Sequence, residues 1–160
     1  MTSTASLLRA RFDLVRRDLN RALDQITDDM LEWAPVVGMR TIRGQLFEIA
    51  GKEVELLTYA KAGGEQIWIE VDTFGDREST VAGWREILGE IREGPSSYLD
   101  ALSEDDLSRE IKFPGDWWEG LLLTELPLHE VIRNVAMHEW YHTGQIYSYL
   151  WARSSNPYEW

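Results

Sequence analysis

Apolar residues recur at spacings of three and four along four long stretches of this chain, with proline and glycine in the gaps between them. A period near 3.6 is the mark of a helix that turns one face to a core, and four such helices leave few architectures open. The first stretch runs from about Ser3 to Ile26 and carries Leu7, Leu8, Phe12, Val15, Leu19, Ala22, Leu23 and Ile26. Pro35 and Gly38 interrupt regular structure after it. The second occupies about Thr41 to Lys61, with Ile42, Leu46, Ile49, Ala50, Leu56, Leu57 and Ala60, and Gly63-Gly64 ends it. The third covers about Ser79 to Leu102 and contains Gly94-Pro95, where a kink or a break is expected. The fourth is expected to start near Thr124 as N-cap, to hold Pro127 in its first turn and to continue to about Ala152.

The connections are less regular. EQIWIEVDTFG alternates apolar and polar residues through Ile67, Ile69 and Val71, which suits a short strand or an extended loop. SEDDL reads as a turn, and REIKFPGDWWEGLLL as a small hairpin around Pro114-Gly115. The expected fold class is therefore all-α, a four-helix bundle forming a single domain over residues 1–160.

Charge and composition remove several functions. With 28 acidic and 16 basic residues the formal net charge is −12, and Arg16-Arg17 is the only adjacent basic pair. Such a surface repels phosphate backbones and anionic lipids, so neither nucleic acid nor a membrane is an expected partner. There are no cysteines, which excludes disulfides, thiolate metal ligands and thiol nucleophiles supplied by the chain itself. MTSTASLLRARFDLVRRDL lacks a basic region followed by an apolar run, and no stretch of about 18 apolar residues occurs, so a cytoplasmic location is expected. The eight tryptophans point first to core filling, with some lining a cavity or an interface.

The chemistry concentrates in MHEWYHTGQI, residues 137–146, which spells H-E-x-x-H. At about 100° per residue, His138 and His142 lie only about 40° apart around the fourth helix, so their imidazoles can converge on one ion. Val131, Asn134, Val135, Gln145 and Tyr149 share that stripe, which faces the bundle interior. Buried imidazoles need partners, and either a metal or hydrogen bonds to carboxylates and backbone would serve. His129 is rotated about 180° from His138 and is not expected to be a ligand. In a zinc protease Glu139 would be the general base and a downstream residue the third ligand. Glu159 is the one candidate there, the substrate-binding sheet is missing, and Glu139 lies about 80° from the centre of the ligand stripe. The protease reading is the weakest of those considered.

The run H-x-x-x-H-x-G-Q-I, here His138, His142, Gly144, Gln145 and Ile146, resembles the last helix of the DinB/YfiT-like superfamily of four-helix bundles. The resemblance extends over the chain through ITDDMLEWAP, TIRGQLFEIAGKE, SEDDL and TELPLHEVI. It implies one divalent metal held by three histidines, one on the second helix and two on the fourth. His138 and His142 match the pair, but the second-helix position falls on Glu48. Glutamate is a competent ligand, so the implied set is Glu48, His138 and His142, suited to Zn²⁺, Ni²⁺ or Fe²⁺. Alternatively, Glu48 pairs with a protonated histidine and no metal binds. Gln145, one turn beyond His142, is placed to hydrogen-bond a ligand or the next helix.

The resemblance further implies an activity of one of two kinds: hydrolysis, or transfer to a low-molecular-weight thiol, each with a small electrophilic substrate activated at the metal. A non-catalytic metal- or ligand-binding stress protein is the rival. A general base or an anion-binding arginine in an open polar cleft near the metal would favour catalysis, whereas a sealed apolar pocket would favour binding. No catalytic residue beyond the ligands is named by the sequence. A homodimer is expected, because bundles of this family pair through helix faces and Tyr147, Trp151, Tyr158 and Trp160 offer apolar surface.

Overall fold

The computed structural model describes residues 3–62, 73–112 and 123–153. Four long helices dominate it: α1 (Thr4–Leu23), α2 (Ile42–Ala62), α3 (Val81–Ala101) and, after the short α4 (Glu104–Ser108), α5 (Leu128–Ala152). A two-stranded antiparallel ribbon joins β1 (Glu110–Lys112) to β2 (Glu125–Pro127), with Ile111 opposite Leu126. The all-α expectation is met. No described helix is long and apolar enough to cross a membrane.

The helix starts are set by hydroxyl caps. Ser3 accepts from the Ser6 N–H, Thr41 from the Gly44 N–H and Thr80 from the Gly83 N–H, each satisfying a donor that the first turn leaves open. Gly83 also lets the chain before α3 close on the helix, since a Cβ there would lie 2.1 Å from the Arg77 carbonyl oxygen. The apolar stripes fall where their periodicity puts them. Along α2 Ile42, Leu46, Ile49, Ala50, Leu56, Leu57 and Ala60 are all buried, and along α1 only Leu7 of the expected set is exposed.

The buried side chains form two clusters. One gathers Leu8, Phe12 and Val15 of α1 with Leu56 and Ala60 of α2, Leu99 of α3 and Leu128 to Ala136 of α5. The other gathers Leu19 to Leu23 of α1 with Ile42 to Ala50 of α2, Trp84 to Leu88 of α3 and Ile146 to Leu150 of α5. The start of α1 thus meets the start of α5 and the ends of α2 and α3, so α1 and α5 run one way and α2 and α3 the other.

Several local expectations are corrected. Gly94-Pro95 does not break α3, which runs through a buried Pro95. SEDDL is a helix, not a turn, because Ser103 and Asp106 cap it reciprocally: the Ser103 hydroxyl accepts from the Asp106 N–H and the Asp106 carboxylate from the Ser103 N–H. The Ser103 hydroxyl, which donates to the Asp106 carboxylate at 2.6 Å, and then the Ser103 N–H hold that carboxyl below its usual pKa. The last helix starts at Leu128, not Thr124, since residues 125–127 are taken by the ribbon and the Leu128 N–H donates to the Arg109 carbonyl at 2.9 Å. Pro127, which has no N–H to lose, becomes the N-cap instead of a first-turn residue. Most of EQIWIEVDTFG and the Pro114-Gly115 turn lie outside the described residues. The Lys112 side of the expected hairpin is a strand, and its partner is Glu125–Pro127.

Candidate metal centre

Glu48 sits in the second turn of α2, and His138 and His142 lie one turn apart in the middle of α5. The fold brings one donor atom from each within 4.8 Å of the others. The two imidazole Nε2 atoms are 3.1 Å apart. Two imidazoles that share one ion at bonds of about 2.0–2.1 Å have their nitrogens roughly 3 Å apart, so the pair already has ligand spacing.

The tautomer of His142 follows from a directional chain of hydrogen bonds. The Arg40 carbonyl can only accept, and the Tyr149 hydroxyl donates to it at 2.8 Å. That hydroxyl accepts from the Gln45 amide nitrogen at 3.1 Å, so the Gln45 oxygen faces His142 and accepts from its Nδ1–H. His142 therefore presents a bare Nε2 towards His138 and Glu48, the form a metal requires. His138 has no such support: its buried Nδ1 has no hydrogen-bond partner. With no ion, the Nε2–Nε2 contact needs His138 to donate its one proton; an ion would take both lone pairs. The donor set and its spacing fit a divalent metal.

Both rings are held in the neutral form. Burial lowers the His138 pKa to about 3, helped by His142, Lys52 and Arg40. Burial also lowers that of His142, with Arg40 acting in the same direction, while Glu48 and the Gln145 side chain pull it up. Gln145 is half-buried beside the ring. The amide that orients His142 is Gln45, which sequence reasoning passed over. Its signal was available: a polar amide between Ile42, Leu46 and Ile49 on an otherwise apolar stripe. Gln45 is 2% exposed.

Around the cluster lie charged and aromatic groups. Arg40 Nη2 is 2.8 Å from Glu48 Oε1, with the Arg40 side chain 49% and the Glu48 side chain 33% exposed. The Tyr141 ring meets His142 edge-on, with centroids 5.1 Å apart. His129 stands apart, its Nδ1 3.0 Å from the Leu107 carbonyl.

Glu139, the acid between the histidines, belongs to a different structure. It is 1% exposed, its Oε1 is 2.8 Å from Arg16 Nε, and its Oε2 is paired with Arg92. Glu53, fully buried, completes the group at 3.1 Å from Arg16 and 2.7 Å from Arg92. Burial pushes the Glu53 carboxyl up in pKa, and the two arginines oppose it. This neutral quartet takes one residue from each long helix, and along each helix that residue falls between the two apolar clusters. A glutamate committed to two arginines is no general base, and the zinc protease reading ends there.

Fold and cluster together define a helical bundle with a partly exposed two-histidine, one-carboxylate cluster, and the comparisons with known proteins agree with the fold. The model of the DinB superfamily matches residues 11–146, and the chain belongs to that superfamily. The crystal structure of a conserved protein from Enterococcus faecalis superposes with a TM-score of 0.68 at 15% identity, covering 97% of this chain and 100% of the other. No curated protein matches the chain.

Proposed function

We propose that this protein is a metal-dependent enzyme in which Glu48, His138 and His142 hold one divalent ion, Zn²⁺, Ni²⁺ or Fe²⁺, and a water or a low-molecular-weight thiol attacks a small electrophilic substrate. The observation that carries the reading is the convergence of the three donors within 4.8 Å, with the His142 lone pair aimed by Gln45 and Tyr149. An ion there would supply Lewis acidity that makes a water or thiol at its open positions a better nucleophile. A carboxylate in place of a third imidazole lowers the charge of the site. That penalises water more than a thiol, which is the stronger acid to begin with. The chain has no cysteine, so any thiol comes from outside.

The surroundings favour catalysis over storage. Glu48 and Arg40 are partly open to solvent, so the cluster is reached from outside, and its rim is polar. Elemental analysis of untagged protein after reconstitution should give about one transition ion per chain. Removal of an outer hydrogen-bond partner of a ligand costs about 10- to 100-fold in affinity, so Glu48→Ala and His138→Ala should each cost at least that. Wild-type protein that keeps no stoichiometric metal defeats the reading. Absence of any rate gain with thiol and a model electrophile, relative to thiol plus free metal, removes its transferase form.

A further inference from the structure

We infer that Arg40 forms an anion subsite at the rim of the metal cluster, so that the small substrate or the thiol carries a carboxylate or similar anionic group beside its reacting atom. The inference rests on the proposed metal centre and names the class of molecule it takes.

Arg40 is placed by three separate contacts. Its carbonyl is held by the Tyr149 hydroxyl, the same hydroxyl that orients Gln45 and through it His142. Its guanidinium is 2.8 Å from one oxygen of Glu48. Its aliphatic stem lies over Gly44, where a Cβ would come within 2.5 Å of Arg40 Cγ. With a side chain at position 44 the Arg40 stem would have to shift. An arginine that served the surface alone would need none of these, because exposed pairs contribute about 0–1 kcal/mol and tolerate loose geometry.

The guanidinium has capacity to spare. It offers five N–H donors in a planar fork, and among the described residues Glu48 is its one charged partner, reached through Nη2. Half of the side chain is open to solvent. Lys52, one turn beyond Glu48 on α2 and paired with Glu55, adds a second cation whose field reaches His138. Arg40 and Lys52 offset Glu48 and Glu55, so these four side chains sum to zero and a divalent ion would leave the group net positive in a chain of net charge −12, which favours an anion there. A carboxylate fits the fork with two parallel hydrogen bonds, which fixes orientation as well as position.

The test uses acetate as probe and acetamide as its neutral counterpart. Zinc content is measured first on wild type, Arg40→Gln, Arg40→Lys and Gly44→Ala. Binding to the zinc-loaded proteins is then followed by calorimetry and by the NMR shift of the Arg40 side-chain N–H. Acetate should bind wild type and acetamide should not. Arg40→Gln also loses the hydrogen bond to Glu48, so it is loaded with excess zinc and compared at equal zinc content; it should then weaken acetate by about tenfold or more, Gly44→Ala by less, and Arg40→Lys should restore part of the loss. Equal acetate affinity in wild type and Arg40→Gln, or no acetate binding by fully zinc-loaded wild type, overturns the subsite and leaves the metal centre standing. If zinc is not retained, the metal reading fails at the first measurement. The titration of metal-free protein then decides: acetate binding lost in Arg40→Gln keeps the subsite, and no binding overturns it.

Discussion

At the scale of single residues, the centre is asymmetric. His142 is supported through Gln45, Tyr149 and the Arg40 carbonyl, whereas His138 is held by packing and by its neighbour. Gln45→Leu keeps the volume and the burial but removes the acceptor for the Nδ1–H. It should weaken metal affinity by about 10- to 100-fold while the fold survives, as measured by competition with a chelator and by circular dichroism. An affinity equal to wild type would show that the relay does not set the His142 tautomer. The histidine pair was legible in the sequence because one helical turn separates the two rings. The relay was not: Gln45 and Tyr149 lie on different helices, and only packing makes them neighbours.

At the scale of elements, the quartet of Arg16, Glu53, Arg92 and Glu139 ties α1, α2, α3 and α5 at one level between the two apolar clusters. Removing one member of a buried ion group leaves charge without compensation, at about 3–5 kcal/mol. Glu139→Ala should therefore lose about that much in urea unfolding, and the metal content of the folded fraction should stay near wild type. Loss of metal with little change in stability would place Glu139 in the site. The H-E-x-x-H string suggested chemistry for this residue because spacing alone cannot tell which face of α5 a side chain serves. An angle of about 80° from the ligand stripe carries it to the arginines of α1 and α3. α4 and the second strand of the ribbon escaped the sequence reading for a similar reason. Their hydrogen bonds are either too local to show periodicity, as in the Ser103–Asp106 caps, or made between residues distant in the chain, as between β1 and β2.

At the scale of the whole molecule, α5 carries an exposed apolar stripe: Met137 at 49%, Trp140 at 57%, Tyr141 at 63% and Trp151 at 48%. Tyr147 is half-buried and donates to the Asp18 carbonyl, so it does not join that surface as expected; Tyr158 and Trp160 lie outside the described residues. Such a stripe suits pairing of two copies. Light scattering at micromolar concentration should give about twice the chain mass, and Trp140→Glu should return the monomer. A wild-type mass near 18.5 kDa contradicts the dimer.

Periodicity by itself determined the number of long helices, their buried faces and the two histidines, because each depends on neighbours within a turn or two of the same chain. Glu48 was reached only through the resemblance to the superfamily. The tertiary structure decided the rest: that α2 and α3 run parallel, that Gln45 and Tyr149 orient His142, that Glu139 is tied to arginines, and that Arg40 rests on Gly44 against Glu48. Most of these contacts join separate helices, and direction and register between helices come from how the two apolar clusters close around a charged belt, which no single stretch of sequence contains.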